Sequence, residues 1–196
     1  MRRADIVVVG TSLGGLAALE ILLSGLPAEF PLPVAIVQHR GMDSDETLML
    51  LLQVHCALPV SEPDDKDPIE PGRIYLAPPG YHLLVDRGSF ALSMDAKVCY
   101  ARPSIDVLFE SAAEAYKERV IGVVLTGASR DGSEGLARIK GRGGLAVVQD
   151  PKGAEAPTMP EAAIAKVKVD RILPLPQIGL HLAAALARSQ PVGVVT

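Results

Sequence analysis

Ile6-Val7-Val8-Val9-Gly10-Thr11-Ser12-Leu13-Gly14-Gly15 is the stretch that decides the fold. A β-branched run closed by Gly10 reads as a short strand buried on both faces, the kind found in parallel sheets. From Gly14 the apolar positions Leu16, Leu19, Leu22, Leu23 and Leu26 recur at helical spacing until Gly25 and Pro27 stop the pattern. The result is a strand, a tight turn and a helix. A second strand over residues 34–37 ends at Gln38-His39, and a polar loop leads to a helix over 46–54. The alternation has begun.

Farther along, Pro and Gly break residues 58–92 repeatedly, so the apolar pieces 73–76 and 82–85 are expected as hairpin strands of an antiparallel insertion. Helical periodicity returns over 104–117 through Ile105, Leu108, Ala112 and Ala115, with Ser104 expected as N-cap. There follow a strand over 120–125, a glycine-rich turn, a helix over 133–140, a strand over 145–148, a short helix from near Pro160, and a last helix around 178–187. Strands alternating with helices predict a doubly wound α/β fold, a mostly parallel sheet flanked by helices, with a small hairpin insertion.

The length of 196 residues accommodates one well-buried domain, expected over 1–196. With 48% hydrophobic and 21% charged residues the composition is that of an ordinary globular domain, so disorder is excluded. A net charge of -4 gives no attraction to phosphate backbones, so nucleic acid is not an expected partner. Cys56 and Cys99 form neither a disulfide framework nor a metal knuckle. Met1-Arg2-Arg3 is followed by an apolar run broken at Gly10 and Ser12, unlike a signal peptide. No stretch approaches the ~20 apolar residues of a membrane span. A cytoplasmic protein without membrane insertion is the expectation.

Gly10-Thr11-Ser12-Leu13-Gly14 fits Gly-x-Ser-x-Gly between a strand and a helix, the context that pattern needs. Small residues flanking the serine let the chain reverse, so its hydroxyl projects at the carboxyl edge of the sheet beside free helix N-H groups. The same turn would also suit a Rossmann-like module cradling a phosphate. Against that module, the second strand ends in Gln38-His39, where a dinucleotide's ribose would want an acid. A serine nucleophile needs a base. Of the four histidines, His55, His82 and His181 fall on helix or hairpin positions that suit packing or surface roles, whereas His39 ends a strand neighbouring the Ser12 turn. The base needs an orienting carboxylate, and both Asp131 and Asp150 follow strands; spacing does not choose between them, and either could be a helix cap or turn residue.

The chain resembles the methylesterase domain of the CheB proteins. The resemblance rests on Val9-Gly10-Thr11-Ser12-Leu13-Gly14-Gly15, Val37-Gln38-His39, Ala77-Pro78-Pro79-Gly80-Tyr81-His82-Leu83-Leu84, Arg102-Pro103-Ser104-Ile105-Asp106-Val107-Leu108-Phe109, Leu125-Thr126-Gly127 with Asp131-Gly132, and Met159-Pro160, all in order. It implies Ser12 as nucleophile, His39 as base and Asp131, rather than Asp150, as the orienting acid. Backbone N-H groups near Leu13 or Ala128 would hold the oxyanion. The implied substrates are γ-glutamyl methyl esters on the cytoplasmic helices of methylated chemoreceptors, with glutamine deamidation as a further reaction and no metal or organic cofactor. The family usually carries a small or hydroxylated residue where this chain has Leu13, and its best-known members carry Met-Gly where this chain has Ala128-Ser129, which keeps in view a catalytically reduced scaffold of the same fold. The first strand begins within a few residues of Met1, so the resemblance is to an esterase domain without the receiver domain common in the family; a separate receiver protein is a possible partner. The order Ser, His, Asp also differs from the Ser, Asp, His order of α/β-hydrolases.

Overall fold

A computed structural model describes residues 4–187. In chain order its elements are β1 (Ile6–Thr11), α1 (Gly15–Ser24), β2 (Val34–Gln38), α2 (Thr47–Val54), β3 (Val60–Ser61), β4 (Ile74–Leu76), β5 (His82–Val85), β6 (Phe90–Ser93), α3 (Ile105–Tyr116), β7 (Val120–Val124), α4 (Ser133–Gly141), β8 (Leu145–Gln149), α5 (Thr158–Lys166), β9 (Arg171–Leu173) and α6 (Leu175–Ala187). Every residue of β1 is buried. Because side chains alternate across a strand, Val7 and Val9 join one core layer and Ile6 and Val8 the other. A strand buried on both faces belongs in the middle of a sheet, and β1 pairs in parallel with β2 on one side and β7 on the other.

Among the described residues the main sheet has 7 strands in the order β3-β4-β2-β1-β7-β8-β9. Helices α1, α2 and α6 contribute Leu19, Leu22, Leu52, Ile178 and Leu182 to the core on one face. On the other face α3, α4 and α5 contribute Leu108, Phe109, Leu136, Ile139 and Ala163, beside Leu83, Val85 and Phe90 of the β5-β6 hairpin. The doubly wound arrangement is therefore as expected, and its crossover places a crevice at the carboxyl ends of β1, β2 and β7.

Three details correct the sequence reading. Residues 73–76 are not part of the insertion: β4 is buried throughout and pairs in parallel with β2 and β3, while the antiparallel hairpin is β5 with β6 alone. The surrounding Pro and Gly suggested a hairpin, but a strand so short and apolar gains most by burial in the sheet. Strands β3 and β9 had no apolar signature, because β3 is half-buried and Arg171 and Ile172 of edge strand β9 are exposed. Ser104 holds the N-cap position of α3 but its side chain does not cap the helix.

Candidate active site

Thr11, the last residue of β1, is paired with Gln38, the last of β2. Parallel neighbours lie roughly 4.8 Å apart, so Ser12 and His39 leave the sheet side by side. The His39 N-H donates to the Thr11 carbonyl at 3.1 Å and the Ser12 N-H to the Thr126 carbonyl at 3.0 Å, tying the turn to both flanking strands. Gly14 takes a left-handed φ of 76° at the N-cap of α1, which glycine adopts without a Cβ penalty. At Gly10 a Cβ would overlap the Ile105 side chain, so only glycine lets the start of α3 lie against β1.

Two polar residues to which the sequence assigned no such role hold this turn. The Gln38 Nε2 donates to both the Ser12 and the His39 carbonyls, each at 2.9 Å. The Thr126 hydroxyl donates to the Leu13 carbonyl at 3.0 Å and accepts from the Ala156 N-H at 2.9 Å, while the Thr126 N-H donates to Gln149 Oε1 at 2.9 Å. The only signal for Gln38 was its place beside His39; a bridging amide has no spacing signature.

Asp131, in the loop after β7, is buried and meets His39: Nε2 lies 2.7 Å from Oδ2. The same oxygen accepts the Ile105 N-H at 2.7 Å, and Oδ1 accepts the Ser104 hydroxyl at 2.8 Å and the Asp106 N-H at 3.0 Å. The carboxylate thus caps α3 from outside the helix and orients the imidazole with the same two oxygens. Burial opposes its charge, but the His39 bond and the N-H groups of Asp106 and Ile105 outweigh it and hold Asp131 below the ordinary carboxylate value. One residue into α3, Asp106 accepts the Gly135 N-H at 2.8 Å and a long contact from the Cys99 thiol at 3.8 Å. Burial, with a further push from Asp131 next door, raises it to about 6.

Ser12 and His39 line one recess of about 640 Å³ together with Leu13, Gln38, Glu20 and Glu155. Among the described residues no hydrogen bond joins the Ser12 hydroxyl to His39. Leu13 is 56% exposed at the mouth. The Leu13 and Ala128 N-H groups donate to nothing among the described residues, whereas the Gly127 N-H is taken by the Ala156 carbonyl at 2.9 Å. Asp150 stands apart from His39 and accepts the Lys152 N-H at 3.0 Å in its own turn. His82 is buried, with Nδ1 accepting the Ser104 N-H at 3.2 Å and Nε2 against the Ala96 carbonyl at 3.1 Å. His55 sits 3.6 Å from Glu20, and His181 lies within α6. Cys99, Asp106 and Asp131 offer ligand atoms within 4.8 Å of one another, but both Asp131 oxygens are already filled by the donors above. A cation there would have to displace the cap of α3.

The family model of the CheB methylesterases matches residues 7–182. The chain belongs to the CheB methylesterase family. A relative from Leptospira interrogans is 46% identical over 175 residues, 89% of this chain and 91% of its own length. Protein-glutamate methylesterase/protein-glutamine glutaminase 2 of Anaeromyxobacter dehalogenans is 43% identical over 176 residues, 90% of this chain and 52% of that protein. The crystal structure of the Thermotoga maritima CheB methylesterase catalytic domain superposes with a TM-score of 0.88 at 33% identity, covering 93% of this chain and 98% of that one. The parallel sheet with its small hairpin is thus the CheB catalytic-domain fold. No helix among the described residues is long and apolar enough to cross a membrane.

Proposed function

We propose that this CheB-family chain is a serine hydrolase that removes methyl esters from glutamate side chains on chemoreceptor helices, with Ser12 as nucleophile, His39 as base and Asp131 as orienting acid. The observation that carries this reading is the 2.7 Å contact between the His39 ring and the buried Asp131 carboxylate, at the strand end beside Ser12. A neutral imidazole with Nε2-H held by a carboxylate keeps its other nitrogen, Nδ1, as the acceptor for the serine proton. That hydrogen bond need not be closed in the free enzyme, since such contacts tighten in the substrate complex.

In the reaction, the Ser12 oxygen attacks the ester carbonyl as its proton passes to His39. The oxyanion is held by N-H groups, for which those of Leu13 and Ala128 are uncommitted. Collapse breaks the bond to methoxide, which leaves as methanol with the His39 proton. Water, deprotonated by the same histidine, cleaves the acyl-enzyme to glutamate and free Ser12. With a glutamine side chain the leaving group is ammonia and the remaining steps are the same, in keeping with the double name of the Anaeromyxobacter relative. No step calls for a metal or organic cofactor.

Ser12→Ala tests the reading. Methanol release from methylated receptor is expected to fall by at least about 10⁴-fold, as for other triad nucleophiles. The thermal transition should be unchanged, because Ser12 lies on the turn rather than in the core. A fluorophosphonate should label the parent protein and not the variant. Retained hydrolysis in the variant rejects Ser12. A phosphate-cradling turn would bind phosphate and resist the probe.

A further inference from the structure

His39 is the one residue shared by two recesses of opposite charge. On the Ser12 side the lining carboxylates are Glu20 and Glu155, with no lysine or arginine among the described residues. On the other side a cavity of about 390 Å³ is walled by Arg40, Lys97 and Arg102, with no carboxylate in its lining among the described residues. Lys97 and Arg102 have no carboxylate partner among the described residues; Arg102 donates to the Met94 and Asp95 carbonyls at 2.6 and 2.9 Å. Arg40 has a side chain only 5% exposed, and its Nη2 donates to Glu62 at 2.6 Å and to the Ala77 carbonyl at 2.5 Å. Its Nε and Nη1 are buried without a partner among the described residues. Glu62 therefore offsets one of three cationic charges, and the rest is left facing the cavity.

Asp106 and Asp131 lie behind this wall, and their charge reaches Cys99 in the lining, where Arg130 opposes it; the three cations of the lining itself leave the cavity positive. Arg40, with its side chain 5% exposed, is weakly screened, and together with half-buried Arg102 and exposed Lys97 it favours an anion between them. The segment carrying Lys97 is bent so that Cys99 and Tyr100 both take left-handed φ angles, 50° and 63°, and Tyr100 stands 98% exposed at the rim. An extended protein surface laid across His39 would meet this rim while presenting its ester to Ser12.

We propose that the cavity walled by Arg40, Lys97 and Arg102 is a carboxylate subsite, which takes an acidic side chain of the protein substrate flanking the glutamyl ester held at Ser12. The proposal rests on the hydrolase reading of Ser12. On a substrate helix, residues three and four apart share a face, so an acid at that spacing from the ester is the natural occupant. The acidic recess around Ser12 complements it, since Glu20 and Glu155 disfavour a carboxylate there and admit the neutral ester. The enzyme would thus read the polarity of the substrate surface, ester on one side of His39 and acid on the other.

The test uses helical peptides bearing one γ-methyl glutamate, with Glu, Gln or Lys four residues before or after it. At one of the two positions Glu is expected to exceed Lys in kcat/KM by about tenfold at low salt, the worth of one charge-assisted hydrogen bond. Lys97→Glu should erase or reverse this order. Lys168→Glu, which makes the same charge change on an exposed residue at the opposite end of the sheet, should preserve it. Anisotropy binding of the same peptides to Ser12→Ala should rank them identically. Hydrolysis that is flat across Glu, Gln and Lys, or equal effects of the two lysine variants, overturns the subsite while leaving the hydrolase intact. Absent hydrolysis with the binding order preserved overturns the hydrolase and keeps the subsite. Flat binding to Ser12→Ala overturns the subsite whatever the hydrolysis.

Discussion

Two loops leave neighbouring strands at the same edge of the sheet, each carrying an aspartate, Asp131 seven residues beyond the end of β7 and Asp150 directly after β8. After β7, Asp131 is buried and accepts hydrogen bonds from His39, Ser104, Ile105 and Asp106. After β8, Asp150 accepts the Lys152 N-H of its own 3₁₀ turn. Both act as caps, as aspartates after strands commonly do. They differ because β7 lies beside β1 and β8 lies one strand farther out, so only the first loop can reach over the end of β1 to His39. A capping role and a catalytic role do not exclude each other. At Asp131 the His39 contact, together with the N-H groups of the α3 cap, holds the carboxylate below its ordinary value despite burial.

Asp131→Asn strikes at that difference with the largest expected effect. An amide cannot satisfy two backbone N-H groups, a hydroxyl and an imidazole N-H together, so ester hydrolysis should fall by about 10⁴-fold. The denaturant midpoint should report a loss of about 2 kcal/mol, from weakened bonds to a charged acceptor. Activity within a few-fold of the parent would remove Asp131 from the mechanism and collapse the comparison.

Asp106 sharpens the contrast from a third position, buried in the same helix start with fewer donors. Its value, raised from 3.8 to about 6, means the native protein keeps a proton in this window that the unfolded chain has lost. Its contribution to stability is therefore present below pH 3.8 and lost as pH rises to about 6. Asp131 has the opposite sign: its contribution is present above the ordinary carboxylate value and lost as pH falls through its lowered one. Asp106→Asn keeps an acceptor for Gly135 and cannot ionise. Its Tm relative to the parent should rise by about 5–10 °C from pH 4 to pH 7. A pH-independent difference would show that Asp106 titrates normally.

The smallest effect is expected at Asp150. Asp150→Ala removes one exposed cap, worth about 1 kcal/mol in a denaturation curve, and should leave hydrolysis within about twofold. A collapse of activity there would make the two loops equivalent and undo the assignment.

How much of this was legible follows from how local each signal is. The β1-turn-α1 unit lies in one short stretch, where burial period, glycine and helical spacing agree, and the structure returns it with β1 extended to Thr11. His39 was legible as a strand end. Asp131 could not be separated from Asp150 by spacing, because the distinction lies in which strands are neighbours. Ser104 was expected to cap α3, yet its hydroxyl donates to Asp131, which does the capping from a loop far away in sequence. Gln38 and Thr126 hold the Ser12 turn through carbonyl contacts that no side-chain pattern announces. β4 was placed in the wrong sheet because turn-rich surroundings say where a chain bends and not which partner a strand finds.

The amino-acid order by itself determined the alternation of strands and helices, the serine turn and the histidine that follows the second strand, since hydrophobic period and glycine placement act over a few residues. The strand order, the meeting of Asp131 with His39, the external cap on α3 and the opposite charges on either side of His39 were decided by the tertiary structure. Each of these joins residues from separate segments, and what fixes them is burial and hydrogen-bond satisfaction summed over the whole chain.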